Sequence, residues 1–123
     1  MIKQLLVIGL GGALGSILRY LAQMLTNHSL ALVFPLDTFS VNITGCFLIG
    51  IFYGVFEKYS GLNYDWRLFL ITGLCGGYTT FSSFSYESIT LFRQGDYVYF
   101  SLYAGLSVLL GLFATVGGTA IIK

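Results

Sequence analysis

Four stretches of this chain stay apolar for roughly 20 residues or more, and short polar clusters separate them. They run from about Gln4 to Leu25, Asp37 to Phe56, Trp66 to Phe92 and Tyr97 to Ile122. A bilayer core of about 30 Å needs roughly 20 apolar residues per helix, so each stretch predicts a membrane-crossing helix. Between them stand Pro35 and Asp37, then Glu57, Lys58, Gly61, Asn63 and Asp65, then Arg93, Gln94, Gly95 and Asp96. These connections are too short for a soluble domain, so residues 1–123 are expected to form one transmembrane domain. The run after Lys3 starts as a secretory leader does. It continues past Ile17 with three more spans behind it, and so reads as a retained first helix.

The third stretch departs from the pattern. Its residues Gly73 to Ser85, GLCGGYTTFSSFS, carry glycines and hydroxyls where aliphatic residues belong, and no charge lies between Leu68 and Tyr86. Polar groups and irregular backbone are tolerated at membrane depth only where they line a cavity or pack against protein. Gly76 and Gly77, followed by Tyr78, Thr79 and Thr80, make a poor helix interior. A break in this GGYTT stretch would free backbone carbonyls that can hold a cation and amides that favour an anion.

Composition agrees with the spans. Hydrophobic residues are 56% of the chain and charged residues 9%, against about 25% charged in soluble domains. The net charge of +1 points to no nucleic-acid surface. Cys46 and Cys75 lie inside apolar spans and read as small packing residues rather than a disulfide framework. The one histidine, His28, falls in an expected loop, which argues against a metal cluster of side chains. No nucleophile–base pair is apparent, so no enzyme is expected.

Gly11 and Gly15, Gly50 and Gly54, and Gly73 and Gly77 each stand four apart, the spacing that lets helix backbones approach closely. A thin four-helix bundle hardly shields a polar pathway by itself, so this close packing is expected between chains. With four spans, Lys3, Lys58, Arg67 and Lys123 share one side, against Arg93 and Arg19 on the other. So weak a positive-inside bias suits a chain that inserts both ways and pairs antiparallel.

Several side chains are candidates for chemistry. Phe81 and Phe84 share a helix face, with Ser82, Ser83 and Ser85 interleaved. A phenylalanine ring has a positive edge that can touch a small anion without trapping it. Asn42 needs a partner in hydrocarbon, and its amide either ties two helices or donates to a passing anion. Tyr103, Ser107, Gly111 and Thr115 step by four along the last span, as a pathway lining or a set of interhelical hydrogen bonds would. Arg19, near the end of the first span, and Glu87, just beyond the serines, are read as vestibule charges.

Together GGALGSILRY, FSVNITGCFLIG and GLCGGYTTFSSFSYE resemble the Fluc (CrcB) family of fluoride channels, over essentially the whole chain. The resemblance implies a passive, fluoride-selective channel of the bacterial inner membrane. It implies an all-α fold of four transmembrane helices, the third broken near its centre, and an antiparallel dual-topology homodimer with two pores. It also implies a structural sodium ion on the dimer axis, held by the backbone carbonyls of Gly76 and Thr79. By the same resemblance the pore residues are Asn42, Phe81, Phe84, Ser82, Ser83, Tyr103 and Ser107. Many relatives carry threonine where Ser83 stands, and some carry a hydroxyl where Gly111 stands. The alternative class, the small proton-coupled multidrug exporters of four helices, needs a carboxylate in its first span. Here the only interior charge of that span is Arg19.

Overall fold

Glycines at several of the closest approaches set how the helices of this chain pack. The computed structural model describes residues 1–27 and 34–123; His28 and the loop assigned to it lie outside the described residues. Helix α1 spans Ile2–Asn27 and α2 spans Leu36–Lys58. Helix α3 is composite: Tyr64–Arg67 is α-helical, Leu68–Cys75 π-helical and Gly76–Tyr78 α-helical again. After two extended residues come α4, Phe81–Arg93, and α5, Tyr97–Ile122. Helices α1, α2 and α5 are each long and apolar enough to cross a membrane.

The glycine pairs are used inside the chain, not between chains as expected. A methyl on Gly11 would lie 3.1 Å from the Gly73 Cα, and one on Gly15 would overlap the Leu74 carbonyl oxygen. On Gly77 it would lie 2.6 Å from the Gly12 carbonyl oxygen. These contacts seat α1 on α3. On the other side of the chain, a methyl on Gly50 would overlap the Thr115 carbonyl oxygen, and one on Gly118 that of Phe47. These seat α2 on α5, where the Thr115 and Thr119 hydroxyls lie 3.2 Å from the α2 carbonyls of Cys46 and Gly50 and share their protons with carbonyls of their own helix at 3.1 and 3.0 Å. The outer end of the Tyr103–Thr115 stripe is therefore interhelical glue, and Gly111 there faces the Cys46 sulfur.

Each chain end is tied to the region between α2 and α3. Lys3 pairs with Asp65 at 2.9 Å, and the Lys58 ammonium donates to the Ile122 carbonyl at 2.9 Å. Helix α4 closes through Gly95 at φ 81°. There the Asp96 N–H reaches the Leu91 carbonyl and the Gly95 N–H reaches that of Phe92, the paired bonds of a glycine helix stop. Gly95→Ala is expected to lower stability by about 1 kcal/mol, because a side chain resists the left-handed conformation. A chemical unfolding curve in detergent checks it.

Within the GGYTT stretch the break falls on the two threonines. Gly76 and Gly77 stay helical, Gly76 at φ −61° and ψ −38°. The chain extends at Thr79 (φ −85°, ψ 157°) and Thr80 (φ −147°, ψ 114°) instead. Gly77 serves the close approach to α1. The two threonines can leave the helix because other groups take over their hydrogen bonds.

Candidate functional site

Asn42 replaces the helix at the break. Its Oδ1 accepts the Thr80 N–H at 2.8 Å, and its Nδ2 donates to the Thr80 carbonyl at 3.1 Å. The side chain thus mimics a strand partner for one residue. Of the two roles open to this amide, the tie between helices is present, and one Nδ2 hydrogen remains. Thr80 in turn caps α4: its Oγ1 accepts the Ser83 N–H at 3.2 Å and donates to the Ser83 Oγ at 3.2 Å. The Ser82 Oγ lies 3.2 Å from the same oxygen. A Thr at the first position of a helix satisfies one of the donors that would otherwise be orphaned.

The break releases the carbonyls of Gly76, Gly77, Tyr78 and Thr79, whose helical donors would be the N–H groups of Thr80, Phe81, Ser82 and Ser83; two of those donors have new partners. The Thr80 N–H goes to Asn42 and the Ser83 N–H to the Thr80 hydroxyl. Gly76 is exposed on the single chain and Thr79 half-buried. No group of three or more His, Cys, Asp or Glu side chains stands together among the described residues.

Beside the break lies a cavity of about 270 Å³, lined by Asn42, Cys46, Thr80, Phe81, Phe84 and Ser107 among others. The Ser107 hydroxyl is buried and has no hydrogen-bond partner. Phe81 and Phe84 stack at 5.6 Å between ring centroids, and Phe84 rests on Tyr103 at 5.2 Å. Phe81 is 78% exposed on the single chain, so its outer face awaits lipid or another chain.

Above Phe84 the hydroxyls converge on a carboxylate. Tyr103, fully buried, donates to Glu87 Oε1 at 3.0 Å, and Thr38 donates to Oε2 at 3.1 Å. Gln23 Nε2 reaches the Thr38 hydroxyl at 3.4 Å. Glu87 is therefore joined to three helices besides its own. Arg19 lies one turn beyond Gly15 on α1 and makes no ion pair among the described residues; the structure does not bring it to Glu87.

The sequence reading missed Thr38 and Gln23, and named Thr80 only as part of the break. For Thr38 a signal existed: it lies four residues before Asn42 and so on the same face of α2. For Gln23 and Thr80 the partners come from distant segments, and spacing along the chain carries no trace of them.

An apolar helical protein with one helix opened beside a ring-walled, largely apolar cavity that a few polar groups enter has the features of the class of membrane transport proteins. The profile of the family described as "CrcB-like protein, Camphor Resistance (CrcB)" matches residues 6–119, and the chain belongs to that family. A relative from Flavobacterium psychrophilum, named "Fluoride-specific ion channel FluC", is 50% identical over 121 residues, covering 98% of each chain. Relatives of the same name from Phocaeicola vulgatus and Bacteroides fragilis are 47% and 44% identical over 94% of this chain and 95% and 93% of their own. Channels are a non-enzymatic class, in line with the absence of enzyme chemistry expected above. With its apolar helices, this kinship makes the chain a multi-pass protein of the bacterial inner membrane.

Proposed function

We propose that this chain is a fluoride-selective passive channel that lets cytoplasmic fluoride out of the cell. The relatives' names support the ion. The observation that carries the reading is the Asn42–Thr80 clamp, which opens a helix beside a cavity offering donors and ring edges but no fixed charge. Fluoride holds its water tightly, so a pore must replace that shell. The free Nδ2 hydrogen of Asn42 and the unpartnered Ser107 hydroxyl are suited to do so, with Ser82, Ser83 and Tyr103 continuing the polar lining. Phe81 and Phe84 present edges that touch the anion weakly. A lysine or arginine in their place would hold it too long, since conduction needs entry without trapping. Glu87 and Arg19 are assigned to the vestibules.

In this reading α3 and α4 together form a fourth span, and the whole chain is one transmembrane domain. Two copies pair antiparallel, giving two pores. The exposed faces of Phe81 and Gly76 suit such a partner. The carbonyls of Gly76 and Thr79, stripped of their helical donors, fit a sodium ion shared by the two breaks. When bound, that ion would add positive potential near the anion's route. The chain's own part is to hold the two carbonyls out of helical hydrogen bonding, through Asn42 and the Thr80 hydroxyl.

The test is efflux from liposomes holding the purified protein, with a potassium ionophore and a fluoride electrode, beside chloride-loaded vesicles. Fluoride release without chloride release is expected, and Phe81→Ile should abolish it while leaving the folded protein intact. Folded protein that releases no fluoride would sink the reading and direct the work to proton-coupled export of cations.

A further inference from the structure

The residue between two pinned neighbours has little freedom, and Thr79 is such a residue. Thr80, after it, is clamped by Asn42. Tyr78, before it, is tied to α2 by its side chain: the phenol oxygen lies 2.9 Å from the Thr44 Oγ1. Proton counting bears on the direction of that bond. Thr44 has one hydroxyl proton, and the Ser40 carbonyl lies 2.8 Å from its oxygen. That short contact favours Tyr78 as the donor, with Thr44 turned to its own helix.

Gly45 lets the ring cross α2 to reach that oxygen. A methyl there would meet the Tyr78 Cδ2 at 3.1 Å and overlap the Thr79 Cγ2. Thr79 itself returns its hydroxyl and its N–H to the Cys75 carbonyl, each at 3.0 Å. So the last turn of α3 rests on Gly45, is latched at Thr44 and ends at Asn42, three positions within one turn of α2.

Resting on the sodium reading above, we propose that the Thr44–Tyr78 hydrogen bond is a latch that aims the Gly76 and Thr79 carbonyls. Asn42 decides that the helix opens. Tyr78 decides where its last turn points when it does. Thr44 and Tyr78 are thus positioning residues for the cation, acting through the backbone between them and touching neither ion. A latch formed before the ion arrives lowers the cost of arranging its ligands.

The experiment uses the full chain, purified without sodium and titrated with sodium chloride against potassium chloride at constant ionic strength. The readout is the thermal unfolding midpoint, which a bound ion raises. Wild type is expected to saturate. Tyr78→Phe and Thr44→Val should each shift the half-effect concentration upward roughly fivefold, the size of one net hydrogen bond. Thr44→Ser, which keeps the acceptor, should stay near wild type. The Tyr78→Phe/Thr44→Val double variant should shift no further than either single variant, because the two share one bond. Variants that melt lower at saturating sodium with an unmoved half-effect concentration overturn the proposal, leaving the bond a packing contact. A wild type indifferent to sodium overturns the sodium reading and the latch's role with it. The efflux assay judges the fluoride reading separately.

Discussion

Asn42→Leu is expected to abolish fluoride efflux and to destabilise the chain as well. The leucine fills a similar volume but leaves both the N–H and the carbonyl of Thr80 without the partners they have now. Each buried backbone group left unpaired costs about 1–3 kcal/mol. The α3–α4 junction can recover the lost bonds by closing into continuous helix, with the Thr80 N–H returned to the Gly76 carbonyl. A bias of about 3 kcal/mol toward that closed form corresponds to a roughly hundredfold loss of the open one. Asn42→Asp separates the two roles of the amide. It keeps an acceptor for the Thr80 N–H, so its thermal midpoint should fall less than that of Asn42→Leu. Its flux should still be lost, since a carboxylate facing an anion repels it. Equal efflux from wild type and Asn42→Leu would remove the clamp from the mechanism.

Gly15→Val should be the most damaging single change to the packing. Its side chain would overlap the Leu74 carbonyl and press on the Tyr78 nitrogen, 3.0 Å from the first added carbon. Those are backbone atoms and cannot swing aside as a side chain does, so α1 must lift from α3. Overpacking of this kind costs about 1–3 kcal/mol where the core can yield, and the upper end applies where backbone meets backbone. Because α3 ends at the break, the displacement also reaches Tyr78, and efflux should fall together with stability. Gly9→Ala on the same helix is the control. Nothing lies within 4 Å of its added carbon, and Ala favours a helix more than Gly by about 1 kcal/mol. Unfolding curves for the two variants are expected to move in opposite directions. A Gly15→Val protein as stable as wild type would mean that α1 does not pack on α3 as described.

Much of the site was legible before any coordinates. The serine and phenylalanine run in α4, the asparagine in α2 and the tyrosine and serine in α5 all stand out, because each is a polar or aromatic exception in hydrocarbon. The glycine pairs were legible as close contacts but not as to whose. A glycine records only that something comes near; the atoms facing Gly11, Gly15 and Gly50 turn out to belong to the same chain. The break was legible as a stretch but not to the residue. Glycine is a weak helix former, yet Gly76 and Gly77 remain helical, with Gly77 set against Gly12 of α1. Thr80 carries the opening because its backbone meets Asn42.

Sequence by itself determined that this chain lies in a membrane, that it is helical, and which side chains are too polar to face lipid. Those follow from transfer free energies and local spacing, which are properties of each segment alone. Only the tertiary structure decided what the polar groups bond to. Asn42 and Thr80 are far apart along the chain, as are Thr44 and Tyr78, and Thr38, Glu87 and Tyr103 come from three helices. In hydrocarbon each must find a partner, but which one depends on how the helices are set against one another, and glycines distributed over four of them settle that.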